Sequence, residues 1–288
     1  MSDQAERLRE LAEKNNSNSP CKVIAITSGK GGVGKTNLAA NLAISFSKIR
    51  KKVLVMDADL GLANVNVILG LIPPPRYNLY HVITGQKTLS EIVSEGPGEI
   101  KLVAGASGVR EVANLSEDTR KEFISHLNDL QDSNDLILID TGAGLSQNVL
   151  SFVLASDQVI LITTPEPTSI ANAYGVIKVI SQEDQDTNIK LIVNRVKNIL
   201  EGKRVADRII NIAAQFLNMR VETLGYILED PLVGKAVRMQ KPFILNFPNS
   251  KATLCINHIR DRLININAEP QKEKRFSLFF ENLFRRRL

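Results

Sequence analysis

One glycine-rich segment constrains the fold of this 288-residue chain more than any other feature. Gly29-Lys30-Gly31-Gly32-Val33-Gly34-Lys35-Thr36 fits the pattern G-x-x-x-x-G-K-T. It lies between an apolar, β-branched run at 22–27 and an amphipathic stretch at 36–50, which predicts a strand, a tight loop and a helix. Such glycines let successive backbone N–H groups turn inward around phosphate oxygens, and the helix N-terminus adds its positive dipole end. The segment therefore predicts a phosphate-binding loop, with Lys35 at the β- and γ-phosphates and the Thr36 hydroxyl on Mg²⁺.

The rest of the chain alternates short strand-like runs with longer amphipathic stretches. Further strands are predicted at 52–56, 101–103, 136–139, 158–163, 189–193 and 221–228. Helices are predicted at 116–130, 147–154, 168–181, 204–218, 231–239 and 250–263. Apolar strands separated by helices predict an α/β fold with a mainly parallel, doubly wound sheet. We expect this domain to span 21–266, after a short helix and polar linker in 1–20 and before a linker and an amphipathic helix in 267–288.

The same glycines permit a second interpretation. Gly29, Gly31 and Gly34 also satisfy G-x-G-x-x-G, and Asp57 lies about where the ribose-binding acid of a dinucleotide site would be. A dinucleotide turn has no role for Lys35 followed by Thr36, however. A second apolar strand also ends in an acid, Asp140, and this is how nucleotide hydrolases hold magnesium. These features favour a nucleoside triphosphate over a redox dinucleotide.

Composition and charge narrow the function further. The net charge is +5, but residues 271–288 hold six basic and two acidic side chains, so the other 270 residues carry only +1. A nearly neutral body does not favour nucleic acid as a partner. The N-terminus has no apolar signal region, and no run is long and apolar enough to span a membrane. Two isolated cysteines cannot form a disulfide framework or a thiolate metal site. We expect a cytoplasmic protein.

The second lysine of the loop points to a family. Lys30, directly after the first glycine, gives the deviant sequence K-G-G-V-G-K-T. With it, the chain resembles the MinD/ParA family of dimerising ATPases, which are P-loop NTPases of the SIMIBI class. The resemblance implies that Lys30 reaches across a dimer to the partner's phosphates and that Asp59 orients the attacking water. It also implies that Asp57 acts on magnesium through water and that Asp140 belongs to Walker B.

Three more residues match positions that border the adenine base in this family. They are Asn194 and Arg195, just after a predicted strand, and Asp230, on a later strand-to-helix loop. Each position also has a simpler interpretation. Asn194 fits an ordinary loop asparagine, Asp230 fits a helix N-cap, and Asp57 itself fits a cap after a strand.

Several segments resemble one branch of the family, the regulators of flagellar number. These are Asp140-Thr141-Gly142-Ala143-Gly144, the segment 164–174, and Asp3-Gln4-Ala5 followed by Leu8-Arg9. The resemblance implies that the N-terminal element, with Gln4 and Leu8, stimulates the GTPase FlhF. It also implies flagellar C-ring proteins as partners.

The C-terminal segment has the pattern of an interfacial helix. Five of the six apolar residues in 276–284 fall within a stripe roughly 140° wide at 100° per residue, beside an arginine cluster. They are Phe276, Phe279, Phe280, Leu283 and Phe284. In MinD-like proteins such a helix anchors the protein to the membrane, which implies reversible binding to an anionic surface on the inner face of the cytoplasmic membrane. A helix docked on the protein's own core is the alternative.

Taken together, these resemblances imply an ATP- and Mg²⁺-dependent homodimer that hydrolyses ATP as a molecular switch controlling flagellar number and placement. Two alternatives stay open. One is a positioning ATPase for cell division or chromosome partition, and the other is an ATP-gated scaffold that does not hydrolyse.

Overall fold

A computed structural model of the chain describes residues 21–59, 64–105 and 130–266. Eight strands form one sheet in the order β3-β4-β2-β5-β1-β6-β7-β8. The strands are β1 (Lys22–Ser28), β2 (Val53–Ala58), β3 (Val93–Glu95), β4 (Lys101–Val103), β5 (Leu136–Ala143), β6 (Gln158–Thr163), β7 (Ile189–Val196) and β8 (Val221–Leu228). Neighbouring strands are parallel except for β3 and β4. The predicted mainly parallel α/β sheet is confirmed.

Ten numbered helices lie in the described ranges. They are α1 (Lys35–Ser47), α2 (Val65–Leu69), α3 (Leu79–Ile83), α4 (Leu89–Ile92), α5 (Gln147–Ala155), α6 (Pro167–Glu183), α7 (Ile199–Leu217), α8 (Pro231–Arg238), α9 (Phe243–Asn246) and α10 (Lys251–Ile266). Apolar residues of α1 and α10 pack on one face of the sheet, while α5, α6 and α7 pack on the other. Burial on both faces explains why the central strands are apolar at successive positions.

Polar contacts fix α1 against the C-terminal helices. The Asn41 side chain, fully buried, accepts a hydrogen bond from the Ile244 amide at 3.0 Å. Ser45 donates to Asn257 of α10 at 2.7 Å. Because α1 begins at the phosphate loop, these contacts hold the loop's helix in place on the sheet.

Several element boundaries differ from the sequence-based prediction. Strands β2 and β5 extend past the predicted ends at 56 and 139, because Asp57 and Asp140 still pair through their backbones. An acidic side chain does not interrupt a backbone ladder. Helix α7 begins five residues before the predicted start, where the Asn198 side chain caps it by accepting from the Glu201 amide at 2.9 Å.

The predicted end of α1 at residue 50 is also wrong. The helix ends at Ser47, and Arg50 turns the chain in the left-handed conformation at φ 64°. The sequence analysis missed α2, α3, α4, α9 and the short strand β3, which are too short to show a clear periodicity. The helices predicted in 1–20 and in the C-terminal segment lie outside the described residues, as does the one at 116–130 except for Leu130.

Candidate functional site

The glycine-rich loop lies at the carboxyl edge of the sheet, directly after the central strand β1. Neighbours β5 and β6 flank β1 on either side, and this central edge is where open α/β sheets bind ligands. Gly32 and Gly34 have φ of 75° and 104°, which only glycine adopts without strain. Gly34 is the N-cap of α1, so the loop runs straight into a helix N-terminus. The predicted succession of strand, tight loop and helix is confirmed, and phosphate binding by the loop stays a prediction.

Lys35 is turned inward at the start of α1. Its exposed fraction is 8%, and burial lowers the pKa of its ammonium, while the charges of Asp140 and Asp59 act in the opposite direction. Nearby negative charge stabilises the charged form of a buried ammonium. Lys35 is therefore placed where it could bind an anionic group.

Asp57 and Asp140 lie opposite each other on the adjacent strands β2 and β5. Both are 2% exposed, and burial raises the pKa of Asp57 to about 6 and that of Asp140 to about 7. The Oδ1 atom of Asp57 accepts from the Asp59 amide at 3.0 Å, and Oδ2 accepts from the Val65 amide at 3.3 Å. Asp57 therefore orders the backbone on both sides of residues 60–63.

Asp140 has the oxygen that a cation would need. The Thr36 hydroxyl donates to its carboxylate, which lowers the pKa against the larger effect of burial. Its Oδ1 atom is buried and has no hydrogen-bond partner among the described residues. A buried carboxylate oxygen beside a threonine hydroxyl and a phosphate loop fits Mg²⁺, which prefers oxygen ligands and usually retains waters.

Asp59 lies beside Asp57 and Asp140, where β2 and β5 end. A Cβ atom added to Gly142, at the end of β5, would be 3.6 Å from Asp59 Oδ1, so the carboxylate lies beside the backbone that follows Asp140. The structure thus brings Lys35, Asp57, Asp59 and Asp140 together, as the sequence analysis expected. Their chemical roles stay predictions.

Lys30 lies on the outer rim and contacts α6. Its Nζ atom donates to Glu166 Oε2 at 2.7 Å and to Thr168 Oγ1 at 3.1 Å. The hydrogen bond with Lys30 holds the pKa of Glu166 below its ordinary value. The sequence analysis assigned no role to Glu166 or Thr168. No local sequence signal pointed to them, because only the order of the strands places the start of α6 beside the phosphate loop.

The three residues predicted at the base make other contacts here. Asn194 Nδ2 donates to the Val33 carbonyl at 2.7 Å, and Arg195 Nη2 donates to the Gly32 carbonyl at 2.9 Å. Asp230 caps two helices, since its carboxylate accepts from the amides of Leu232 in α8 at 2.9 Å and Ala252 in α10 at 3.2 Å. The N-cap interpretation of Asp230 thus has direct geometric support, and base contact stays a prediction for all three.

Other predicted functional residues lie outside the described ranges. They are Gln4 and Leu8 near the N-terminus, and Phe276, Phe279, Phe280, Leu283 and Phe284 near the C-terminus. Among the helices that are described, none combines the length and apolar composition needed to cross a membrane.

Comparison with known proteins identifies the family. Residues 21–193 match a family described as an AAA domain. The antiactivator FleN of Pseudomonas aeruginosa is 35% identical to the chain, covering 92% of the chain and 94% of FleN. The flagellum site-determining protein YlxH of Helicobacter pylori is 36% identical, covering 92% and 91%.

Solved structures agree with these relatives. The MinC:MinD cell division complex of Aquifex aeolicus contains a chain with a TM-score of 0.69 and 29% identity, covering 88% of this chain and all of that one. MinD of Pyrococcus horikoshii, solved with Mg-ADP, has a TM-score of 0.70 and 25% identity, covering 86% and 97%. The chain therefore belongs to the MinD/ParA family of P-loop ATPases, in the branch that contains FleN and YlxH.

Proposed function

We propose that this chain is an ATP-dependent switch that dimerises around two Mg·ATP and regulates flagellar number and placement. The observation that carries the proposal is the convergence of Lys35, Thr36, Asp57, Asp59 and Asp140 around the phosphate loop. Two similar proteins, FleN and YlxH, support the flagellar output. The Mg-ADP in the P. horikoshii MinD structure supports the choice of ligand.

The residues of the loop and the carboxylates beside it would have separate roles in phosphoryl transfer. Lys35 would contact the β- and γ-phosphates, and Thr36 with Asp140 Oδ1 would hold Mg²⁺. A bound Mg²⁺ would neutralise the negative charge that develops on the phosphate oxygens. Asp57 would act on the ion through water, because both its carboxylate oxygens already accept backbone hydrogen bonds. Asp59, beside these carboxylates, would orient the attacking water.

Lys30 would act on a second copy of the chain. In the single chain its ammonium is held by Glu166 and Thr168 on the rim, with 40% of the side chain exposed. An exposed ion pair of this kind contributes little to stability, so it can be exchanged for contact with a partner's phosphates. Hydrolysis would then depend on dimerisation.

A phosphate-release assay on three variants tests the catalytic part. Lys35→Ala should lose nucleotide binding, whereas Asp59→Ala should bind ATP and lose turnover by roughly 10²-fold, because it acts on the transition state. Lys30→Gln should retain ADP binding and lose turnover. Lys101→Gln, an exposed lysine on β4, is the matched control and should behave as wild type.

Two results would contradict these assignments. Turnover at the wild-type rate in Asp59→Ala would remove the role of Asp59. ATP binding by the wild-type protein without phosphate release would instead favour the non-hydrolysing scaffold. Pull-downs from cell lysate, with and without a non-hydrolysable ATP analogue, separate a flagellar regulator from a division or partition ATPase by the partner recovered.

The membrane part of the proposal rests on the amphipathic pattern of the C-terminal sequence. One such helix should bind weakly, and two on one ATP dimer should raise apparent affinity by roughly 10²-fold through effective concentration. Sedimentation with anionic vesicles should show more binding with ATP than with ADP, loss on deleting 275–288 and weakening by salt. Equal sedimentation with both nucleotides would contradict the switch, and none with either would contradict membrane binding.

The proposed N-terminal activity rests on the match at Gln4 and Leu8. A peptide of residues 1–20 should accelerate GTP hydrolysis by FlhF, because a partner can supply a group that orients the attacking water. The Gln4 amide is the candidate, since it can both donate and accept hydrogen bonds. Gln4→Ala should remove most of the stimulation. If increasing amounts of the peptide leave GTP hydrolysis by FlhF unchanged, although the full-length protein binds FlhF, this role is contradicted.

A further inference from the structure

The carboxyl-terminal end of β7 contacts the phosphate loop from outside. Asn194 donates its amide to the Val33 carbonyl at 2.7 Å, and the Arg195 guanidinium donates to the Gly32 carbonyl at 2.9 Å. Two consecutive peptide groups of the loop are therefore held by two consecutive side chains from a distant part of the chain.

These contacts determine where the loop's amides point. The Gly32–Val33 and Val33–Gly34 peptide bonds are trans. In a planar trans peptide, the C=O of one residue and the N–H of the next point in opposite directions. The Gly32 carbonyl faces Arg195 and the Val33 carbonyl faces Asn194. The N–H groups of Val33 and Gly34 therefore face away from these two side chains. These are donors that a phosphate loop uses for phosphate oxygens.

The local conformation is built around this contact. Arg195 has φ 56°, a left-handed conformation unfavourable for an L-residue with a Cβ atom. The side-chain Oδ1 atom of Asn194 accepts from the Arg195 amide at 2.9 Å, which fixes the side-chain amide with its donor toward the loop. A Cβ atom on Gly34 would lie 2.5 Å from Asn194 Nδ2. Only glycine at position 34 allows the side chain to approach so closely.

We propose that Asn194 and Arg195 are positioning residues that hold the phosphate-loop amides inward before phosphate binds. The inference rests on the proposed nucleotide site and goes beyond the base contact expected from the family resemblance. If it holds, affinity for the phosphate chain itself depends on these two residues. A role in base recognition alone would leave that affinity unchanged.

The discriminating probe is Mg·pyrophosphate, which has the phosphates but no base. Its affinity and that of Mg·ADP are measured by calorimetry on the full chain. Asn194→Ala changes no charge, and Arg195→Asn introduces a residue that tolerates the left-handed conformation. Lys197→Asn is the matched control, because it removes a cation from an exposed position directly after β7.

We expect each positioning variant to lower the affinity for both ligands by about fivefold to tenfold, as the loss of one hydrogen bond predicts. Lys197→Asn should change either affinity less than about twofold. Amide hydrogen exchange of the segment 29–36 in nucleotide-free protein should be faster in both positioning variants, with exchange in β1 unchanged.

Two outcomes overturn the inference alone, provided that the wild-type protein binds both ligands. One is unchanged pyrophosphate affinity in the variants, whether or not ADP affinity falls. The other is a loss in Lys197→Asn as large as in Arg195→Asn, which would reduce the effect to net charge. If the wild-type protein binds neither ligand, the proposed function fails and this inference fails with it.

Discussion

Replacing Asp140 by Asn removes a buried negative charge from the nucleotide-free protein. Burial raises the pKa of this carboxyl from 3.8 to about 7. At pH 8 a shift of this size corresponds to about 4 kcal/mol by which the ionised form destabilises the fold. The new amide can still accept from Thr36, but its NH₂ group takes the place of an oxygen without a partner among the described residues, which costs about 1–3 kcal/mol. Asp140→Asn should therefore raise the free energy of unfolding by about 1–3 kcal/mol at pH 8.

The sign of the pH dependence follows from proton binding. Between the unfolded pKa of 3.8 and the folded pKa of about 7, the folded protein binds more protons at Asp140 than the unfolded chain does. The contribution of Asp140 to the free energy of unfolding of the wild-type protein thus falls as pH rises through that window. The advantage of the variant should shrink by about 3 kcal/mol between pH 8 and pH 5, whatever the amide costs.

Urea denaturation without nucleotide at pH 8 and pH 5 measures both effects. Asp186→Asn, an exposed carboxylate, is the control and should change stability by less than about 0.5 kcal/mol at either pH. Adding Mg·ADP should reduce the advantage of the variant, since ligand at 100 times its Kd stabilises the wild type by about 2.7 kcal/mol and stabilises a protein that lacks the metal ligand by less. A variant less stable than wild type at pH 8, or with an advantage that does not depend on pH, would refute this reasoning.

Three further substitutions test other parts of the structure. Asp230→Ala should lower the free energy of unfolding by about 1–2 kcal/mol, measured in urea, because one carboxylate caps both α8 and α10; wild-type stability would contradict the double cap. Gln158→Met should raise it by about 1 kcal/mol, because both polar atoms of this buried amide have no partner among the described residues; a destabilised variant would show that the amide is satisfied. Glu166→Gln should tighten ATP-dependent self-association by about twofold to threefold in sedimentation velocity, by weakening the contact that holds Lys30 on its own chain. Unchanged or weaker association would count against that contact as a restraint.

The core of the candidate site could be predicted from the sequence because its determinants are local. Eight consecutive residues, 29–36, specify a loop whose glycines, lysine and threonine have fixed places relative to the strand before it and the helix after it. Asp57 and Asp140 were recognisable because each follows an apolar strand-like run. In a parallel sheet such strand ends lie at one edge, and the structure shows that the two strands are also neighbours, with Asp57 opposite Asp140.

The contacts around that core depended on the order of strands in the sheet, which no local pattern encodes. Lys30 meets Glu166 because β6 lies beside β1, and the end of β7, on the far side of β6, reaches the phosphate loop through Asn194. Asp230 reaches α10 because that helix packs beside β8. Periodicity reports which face of an element is buried, but not which distant element covers it. The sequence by itself thus determined the phosphate loop, its acidic partners and the α/β class, whereas only the tertiary structure decided which side chains hold the loop and its lysine.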